Sequence, residues 1–139
     1  MQEEIERLLL SDLKKAYKKK EIPVSALIVF NNKIIAHAYN KRIGKKDVTA
    51  HAEILVIKKA AKKLDDWRLN GCELYVTLEP CSMCREIIKE SRIEKVKYYI
   101  KRDEMKKGFN KTDYELLTKK SSDTFQQILS AFFKDNGNR

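Results

Sequence analysis

Two short strings, well separated along the chain, constrain its fold more than anything else in it: His51-Ala52-Glu53 and Pro80-Cys81-Ser82-Met83-Cys84. Each stands where an apolar periodicity of helical spacing begins. Cys81 and Cys84 lie one helical turn apart, so both sulfurs can face one point. Helix N-termini lower thiolate pKa, and the thiolate is the form that binds metal. His51 adds a neutral imidazole. Two thiolates and one imidazole suit Zn²⁺, and three protein ligands leave the fourth position open to water, as in catalytic rather than structural zinc sites. Glu53, two residues from His51, points off the ligand direction but stays close. A carboxylate there can take a proton from an attacking water and return it to a leaving group.

Other readings of these residues exist. A Cys-x-x-Cys pair alone can be half of a structural zinc site or a redox pair, and a lone His is usually a core or surface residue. A closed site would need a fourth ligand, for which Cys72 and His37 are the spare candidates. Cys72 precedes a strand of some six residues, which puts it ~20 Å from that strand's far end, where Cys81 begins. It reads better as a small buried thiol. His37 falls in an expected strand with no fixed relation to the metal.

The composition narrows the partners. The chain has 139 residues, a one-domain length, so residues 1–139 are expected to form a single domain. Charged residues make up 36%, against roughly 25% in an average soluble chain. Lys and Arg number 30 against 20 Asp and Glu, a formal charge of +10 that favours an anionic partner, nucleic acid first, or else a merely well-solvated surface. The longest apolar run, residues 26–30, is far below the ~20 residues of a membrane helix. The first residues are acidic and lack the apolar stretch of a signal peptide, so a cytoplasmic location is expected. Three cysteines are too few for a disulfide framework.

Periodicity predicts helices over residues 2–19 and 50–64, from about Pro80 to Ser91, and around Phe125, Ile128, Leu129, Phe132 and Phe133. Asp123 with Gln126 resembles a capping box opening the last one. Strands are expected at 24–30, 34–39, 73–78, 95–100 and, short, near 114–117. Asn31-Asn32 tolerates left-handed dihedrals and suits a hairpin turn. Residues 41–48 read as a basic loop. One hairpin followed by alternating strands and helices predicts an α/β fold with one mixed sheet covered on both faces.

The pattern His-x-Glu with Pro-Cys-x-x-Cys is the signature of zinc-dependent deaminases of bases and nucleosides. Beyond it, the chain strongly resembles the bacterial tRNA-specific adenosine deaminases. The resemblance is carried by Glu21-Ile22-Pro23-Val24, Tyr39-Asn40, Thr49-Ala50-His51-Ala52-Glu53-Ile54, Trp67-Arg68-Leu69, Leu74-Tyr75-Val76-Thr77-Leu78-Glu79-Pro80-Cys81-Ser82-Met83-Cys84, Ser91-Arg92-Ile93 and Leu129-Ser130-Ala131-Phe132-Phe133. It implies a cytidine deaminase-like three-layer α/β/α fold with a mixed sheet of about five strands. It also implies hydrolysis of wobble adenosine to inosine in a tRNA anticodon stem-loop, by a homodimer with one zinc per subunit. His51, Cys81 and Cys84 would hold zinc, Glu53 would shuttle protons, and Asn40 would contact the flipped base, unless it is only a strand-end turn residue. Lys41, Arg42, Lys45 and Lys46 would meet the RNA backbone or be merely solvated.

The chain departs from the family in three places. Ser25 stands where Gly is usual. Asp103 falls one residue later than the acidic residue expected near the RNA. The stretch between Asp103 and the last helix is short: residues 104–113 barely suffice for a crossover between parallel strands, which takes about a dozen residues or more. The helix usual there is therefore expected to be missing or reduced, and the last strand short or reoriented. Two other functions fit the minimal signature: a free-base (guanine or cytosine) deaminase, and a zinc-stabilised RNA-binding module without catalysis.

Overall fold

A computed structural model describes residues 1–102 and 112–136. The elements run α1 (Gln2–Lys18), β1 (Ser25–Phe30), β2 (Lys33–Tyr39), α2 (Arg42–Lys45), α3 (Ala52–Leu64), β3 (Glu73–Leu78), α4 (Ser82–Glu90), β4 (Lys95–Ile100), β5 (Asp113–Leu116) and α5 (Lys120–Asn136). The strands form one sheet in the order β2-β1-β3-β4-β5. β1 pairs antiparallel with both β2 and β3, whereas β3–β4 and β4–β5 are parallel. The sheet is thus mixed, as expected. Asn31 and Asn32 both have positive φ, 50° and 59°, so they close the first hairpin as a tight two-residue turn whose twist suits the strands.

Side-chain alternation along the strands sorts the core into two layers. Ala26, Ile28, Leu74, Val76, Val96 and Tyr98 face α3 and α4, where Val56, Ile57, Ala60 and Ile88 meet them. The intervening Leu27, Val29, Tyr75 and Tyr99 face α1 and α5, against Ile5, Leu9, Leu13 and Phe125. This is period 2 in the strands meeting period 3.6 in the helices, and it yields the three-layer α/β/α arrangement. Ser25, wholly buried, donates its hydroxyl to the Leu9 carbonyl at 2.7 Å and so ties β1 to α1. A glycine at that position could not make this bond. Cys72 is buried, as expected, and burial pushes its thiol pKa up.

Several local expectations are revised. Residues 42–45 form a helical turn, where a basic loop was expected. The helix expected from residue 50 begins at Ala52, and the one expected near Pro80 begins at Ser82. α5 begins at Lys120, so Asp123 lies inside its first turn and cannot be its cap. The acid still complements the positive end of the helix dipole. Ser122 instead organises that entrance, donating to the Leu117 carbonyl at 2.9 Å and accepting the Lys119 amide at 3.3 Å. The last strand is short, four residues, and parallel to β4. Asp103 and the expectation for residues 104–111 lie outside the described residues.

Glu6 joins three elements. Its carboxylate accepts from Gln2 at 2.6 Å, from the Tyr99 hydroxyl of β4 at 3.1 Å and from Ser121 of α5. Burial alone would raise its pKa, but the hydrogen bonds from Ser121, Gln2 and Tyr99 outweigh it and hold it below the ordinary 4.5. Its stabilisation is therefore present above pH 4.5 and fades as pH falls through the lowered folded-state value. Glu6→Gln should lower the urea midpoint at pH 7 and shrink the acid-induced loss seen in the parent chain, with the two converging at pH 3. Phe125, 1% exposed, packs edge-to-face on Tyr99 with ring centroids 4.9 Å apart. Phe125→Ala should cost about 3–5 kcal/mol in the same titration at pH 7.

Candidate metal and catalytic site

The ends of β2 and β3 and the start of β1 meet at one side of the sheet, as the antiparallel pairing of Ser25 with Tyr39 and Ala26 with Val76 requires. Two helices begin there. His51 is the N-cap of α3, and Cys81 is the N-cap of α4, both with extended backbone. Neither side chain makes a capping hydrogen bond. Both turn instead toward a shared point, which Cys84 reaches from the first turn of α4.

The three ligand atoms lie within 4.8 Å of one another. His51 Nδ1 is 3.5 Å from Cys84 Sγ and 3.9 Å from Cys81 Sγ. Metal–sulfur bonds of about 2.3 Å and metal–nitrogen bonds of about 2.0–2.1 Å at tetrahedral angles need ligand separations of roughly 3.5–3.8 Å. The two nitrogen–sulfur separations lie close to that range, so the group could hold a metal ion such as zinc, with Nδ1 turned toward the sulfurs. Neither spare candidate joins it: His37 Nδ1 sits 2.7 Å from buried Asp12, and Cys72 is not in the group.

The two sulfurs differ in environment. Hydrogen bonds from Cys84, then His51, pull the Cys81 thiol down to about 3. Cys84 is pushed up, first by its bond to Cys81 and then by burial and Glu53. A divalent cation bound here would take both sulfurs as thiolates. Glu53, in the first turn of α3, is 4% exposed and lies beside Cys84. Burial, the largest influence on it, pushes its carboxyl pKa up. A carboxyl raised in this way, beside an open metal position, suits a group that both takes and gives protons.

Asn40 lies at the end of β2, 5% exposed. Its Oδ1 accepts the Ala52 amide at 2.8 Å, and its Nδ2 donates to the Ile22 carbonyl at 3.0 Å. It thereby caps α3 from outside, taking an amide that His51 leaves unserved. One N–H and one lone pair of its amide lie beyond those two bonds. Asn40 also lines a cavity of about 460 Å³ with Ile22, Arg42, Ile43 and Val48.

Two buried carboxylates around the site had no assigned role in the sequence reading. Glu79, 4% exposed, accepts the Arg102 amide at 2.9 Å and lies 3.7 Å from the Arg85 guanidinium, which stacks on Tyr114 at 4.2 Å. Arg102 Nε also donates to the Glu79 carbonyl at 3.1 Å. This network steadies the segment that delivers Cys81. Glu21, 2% exposed, accepts amides of α2. The only signal of either was a position within a motif string, since acidic residues are ordinarily at the surface.

The MafB19-like deaminase family model matches residues 1–136. A tRNA-specific adenosine deaminase of Aquifex aeolicus is 51% identical over 90 residues, which cover 65% of this chain and 60% of that relative. The chain thus matches less than two thirds of that relative's length. A structure solved in studies of A-to-I editing by tRNA:A34 deaminases superposes with a TM-score of 0.82 at 30% identity, over 91% of this chain and 99% of that one. The guanine deaminase of Bacillus subtilis shares the fold, with a TM-score of 0.67 at 24% identity over 100% of this chain and 97% of that one. With the metal-site geometry and the three-layer sheet already in place, these likenesses mean that the chain belongs to the MafB19-like deaminase family.

Proposed function

We propose that this chain is a zinc-dependent tRNA adenosine deaminase that converts wobble adenosine to inosine in an anticodon stem-loop. The observation that carries this reading is the gathering of His51 Nδ1, Cys81 Sγ and Cys84 Sγ within 4.8 Å of one another, with buried Glu53 beside them. The substrate assignment rests on the likeness to tRNA-acting relatives and agrees with the +10 charge. Bound at these three residues, zinc would supply Lewis acidity that makes a water molecule nucleophilic at neutral pH.

The chain's own groups do the rest. Glu53 takes a proton from the attacking water as its oxygen bonds to C6 of the adenine ring. The same carboxyl passes that proton to the ring nitrogen N1, then takes the remaining proton from the C6 hydroxyl and gives it to the amino group. The C6–N bond breaks, ammonia leaves, and the oxygen remains as the inosine carbonyl. Asn40 offers its spare N–H and lone pair to the base while its other two bonds hold it still. Tight closure against water matters less than access, because the reacting nucleotide must swing out of a loop to enter.

The likeness further implies two copies acting together. Exposed Ile43 (45%), Val48 (67%) and Trp67 (59%) give such an assembly apolar surface. Among the described residues no helix is long and apolar enough to cross a membrane, and a cytoplasmic site of action fits a tRNA substrate.

Parallel assays of an anticodon stem-loop and of free guanine, cytosine and adenine decide the substrate. Inosine should form in the stem-loop; ammonia from guanine alone would show a free-base deaminase. Glu53→Gln should keep its zinc yet lose about 10²–10⁴-fold in kcat, and turnover near the parent rate would remove Glu53 from its role. Metal analysis of the purified chain should give about one zinc per chain. Cys84→Ser should fall well below that ratio and lose turnover with it.

A further inference from the structure

Glu21 sits in the bend between α1 and β1, almost wholly buried. A carboxylate withdrawn from water is tolerated only where strong donors replace its hydration, so its partners reveal its use. They are the first free amides of the α2 turn: Ile43 N–H to Oε1 at 3.0 Å, and Gly44 N–H to Oε2 at 2.8 Å.

A four-residue helical turn cannot hold itself, because nucleation costs more than one turn returns. Its own bonds, Lys45 to the Lys41 carbonyl and Asp47 to the Arg42 carbonyl, need an outside anchor. Glu21 is that anchor. The turn so anchored carries Lys41, Arg42, Lys45 and Lys46. It runs directly from Asn40, and Arg42 and Lys46 line the cavity that Asn40 enters. Placing a negative charge beneath four cations weakens their pull on an anion. The arrangement makes sense where the position of those cations counts for more than their number.

We infer that Glu21 is a positioning residue for polynucleotide binding: it clamps the Ile43 and Gly44 amides and so fixes the basic 41–46 turn at the mouth of the deaminase site, against the phosphates that flank the reacting nucleotide. This rests on the deaminase reading above.

The test uses the full zinc-loaded chain with an anticodon stem-loop, read as inosine over a salt series, beside zinc content and thermal midpoint. Glu21→Ala should keep its zinc and hold kcat within about twofold, but raise KM about tenfold and flatten the salt dependence by about one unit of slope per cation released. Glu21→Gln keeps one acceptor oxygen and should recover part of the loss. In a background of Arg42→Ala with Lys46→Ala, adding Glu21→Ala should raise KM by no more than about twofold, because the same contacts are already gone. An unchanged KM and salt slope in Glu21→Ala would overturn the inference, as would a loss confined to kcat or full additivity in that background. If Glu21→Ala does not fold, Glu21→Gln decides alone: KM and slope equal to the parent's would overturn it. A parent chain that binds and turns over no stem-loop defeats the deaminase reading instead, before any variant is made.

Discussion

Two helices begin close enough that the side chains at their starts meet at 3.9 Å, and neither is capped by the residue at its own start. His51 and Cys81 hold the positions whose side chains ordinarily accept first-turn amides. Turning those side chains toward a shared point instead leaves the amides short of partners. Asn40 repairs one deficit by reaching across from β2 to the Ala52 amide. That reach requires the end of β2 to lie beside the start of α3, which the β1–β2 hairpin and its Asn31-Asn32 turn guarantee. Cys81 must come from the end of β3, which pairs with the same β1. The sheet order is thus what a His/Cys/Cys centre built on two helix starts demands. The convergent positive ends of α3 and α4 favour thiolates at that point.

Around this centre the fold buries several charged groups, and each has a geometric partner. Asp12 meets His37 at 2.7 Å and ties α1 to the edge strand β2. Glu79 braces the approach to Cys81 through Arg85 and Arg102. Glu53 lies beside Cys84. Apolar residues of similar volume often replace buried ion pairs with no loss of stability. What a carboxylate adds is direction, because its oxygens fix particular amides and guanidinium groups in space. Glu53 and Glu79 stand where the chain brings His51, Cys81 and Cys84 together, whereas Asp12 joins a helix to the edge of the sheet.

Much of this was legible in the sequence, for identifiable reasons. The helices and strands follow from apolar spacing, which reports burial directly. That His51, Cys81 and Cys84 would lie together was legible because their spacing places them at helix starts, and the structure does gather them. What escaped was long-range and polar. Nothing local marks Glu21 as an acceptor for the amides of Ile43 and Gly44, or Glu79 as a partner of Arg102. Asp123 looked like a cap because the capping-box pattern is local, yet Ser122 and the Leu117 carbonyl begin the helix three residues earlier. Asn40 was read as a base contact or a turn residue. The structure shows a brace between Ile22 and Ala52 that leaves part of its amide unused.

Net charge carries less information than its size suggests. Lys62 and Lys63 close the last turn of α3, where cations oppose the helix dipole and remain in water. Arg68 pairs with Asp66, and Arg92 with Glu90. Such residues raise the formal charge to +10 without defining a place for an anion. Lys41 differs: its ammonium lies 4.9 Å from the Tyr39 ring, one residue before the clamped turn. Lys59 donates to the His37 carbonyl at 2.9 Å, and its pKa is lowered by burial and then by Lys41 nearby. The ammonium groups of Lys41 and Lys59 thus lie near enough to interact, with Asp12 opposing the effect, whereas Arg68 and Arg92 each pair with an acid.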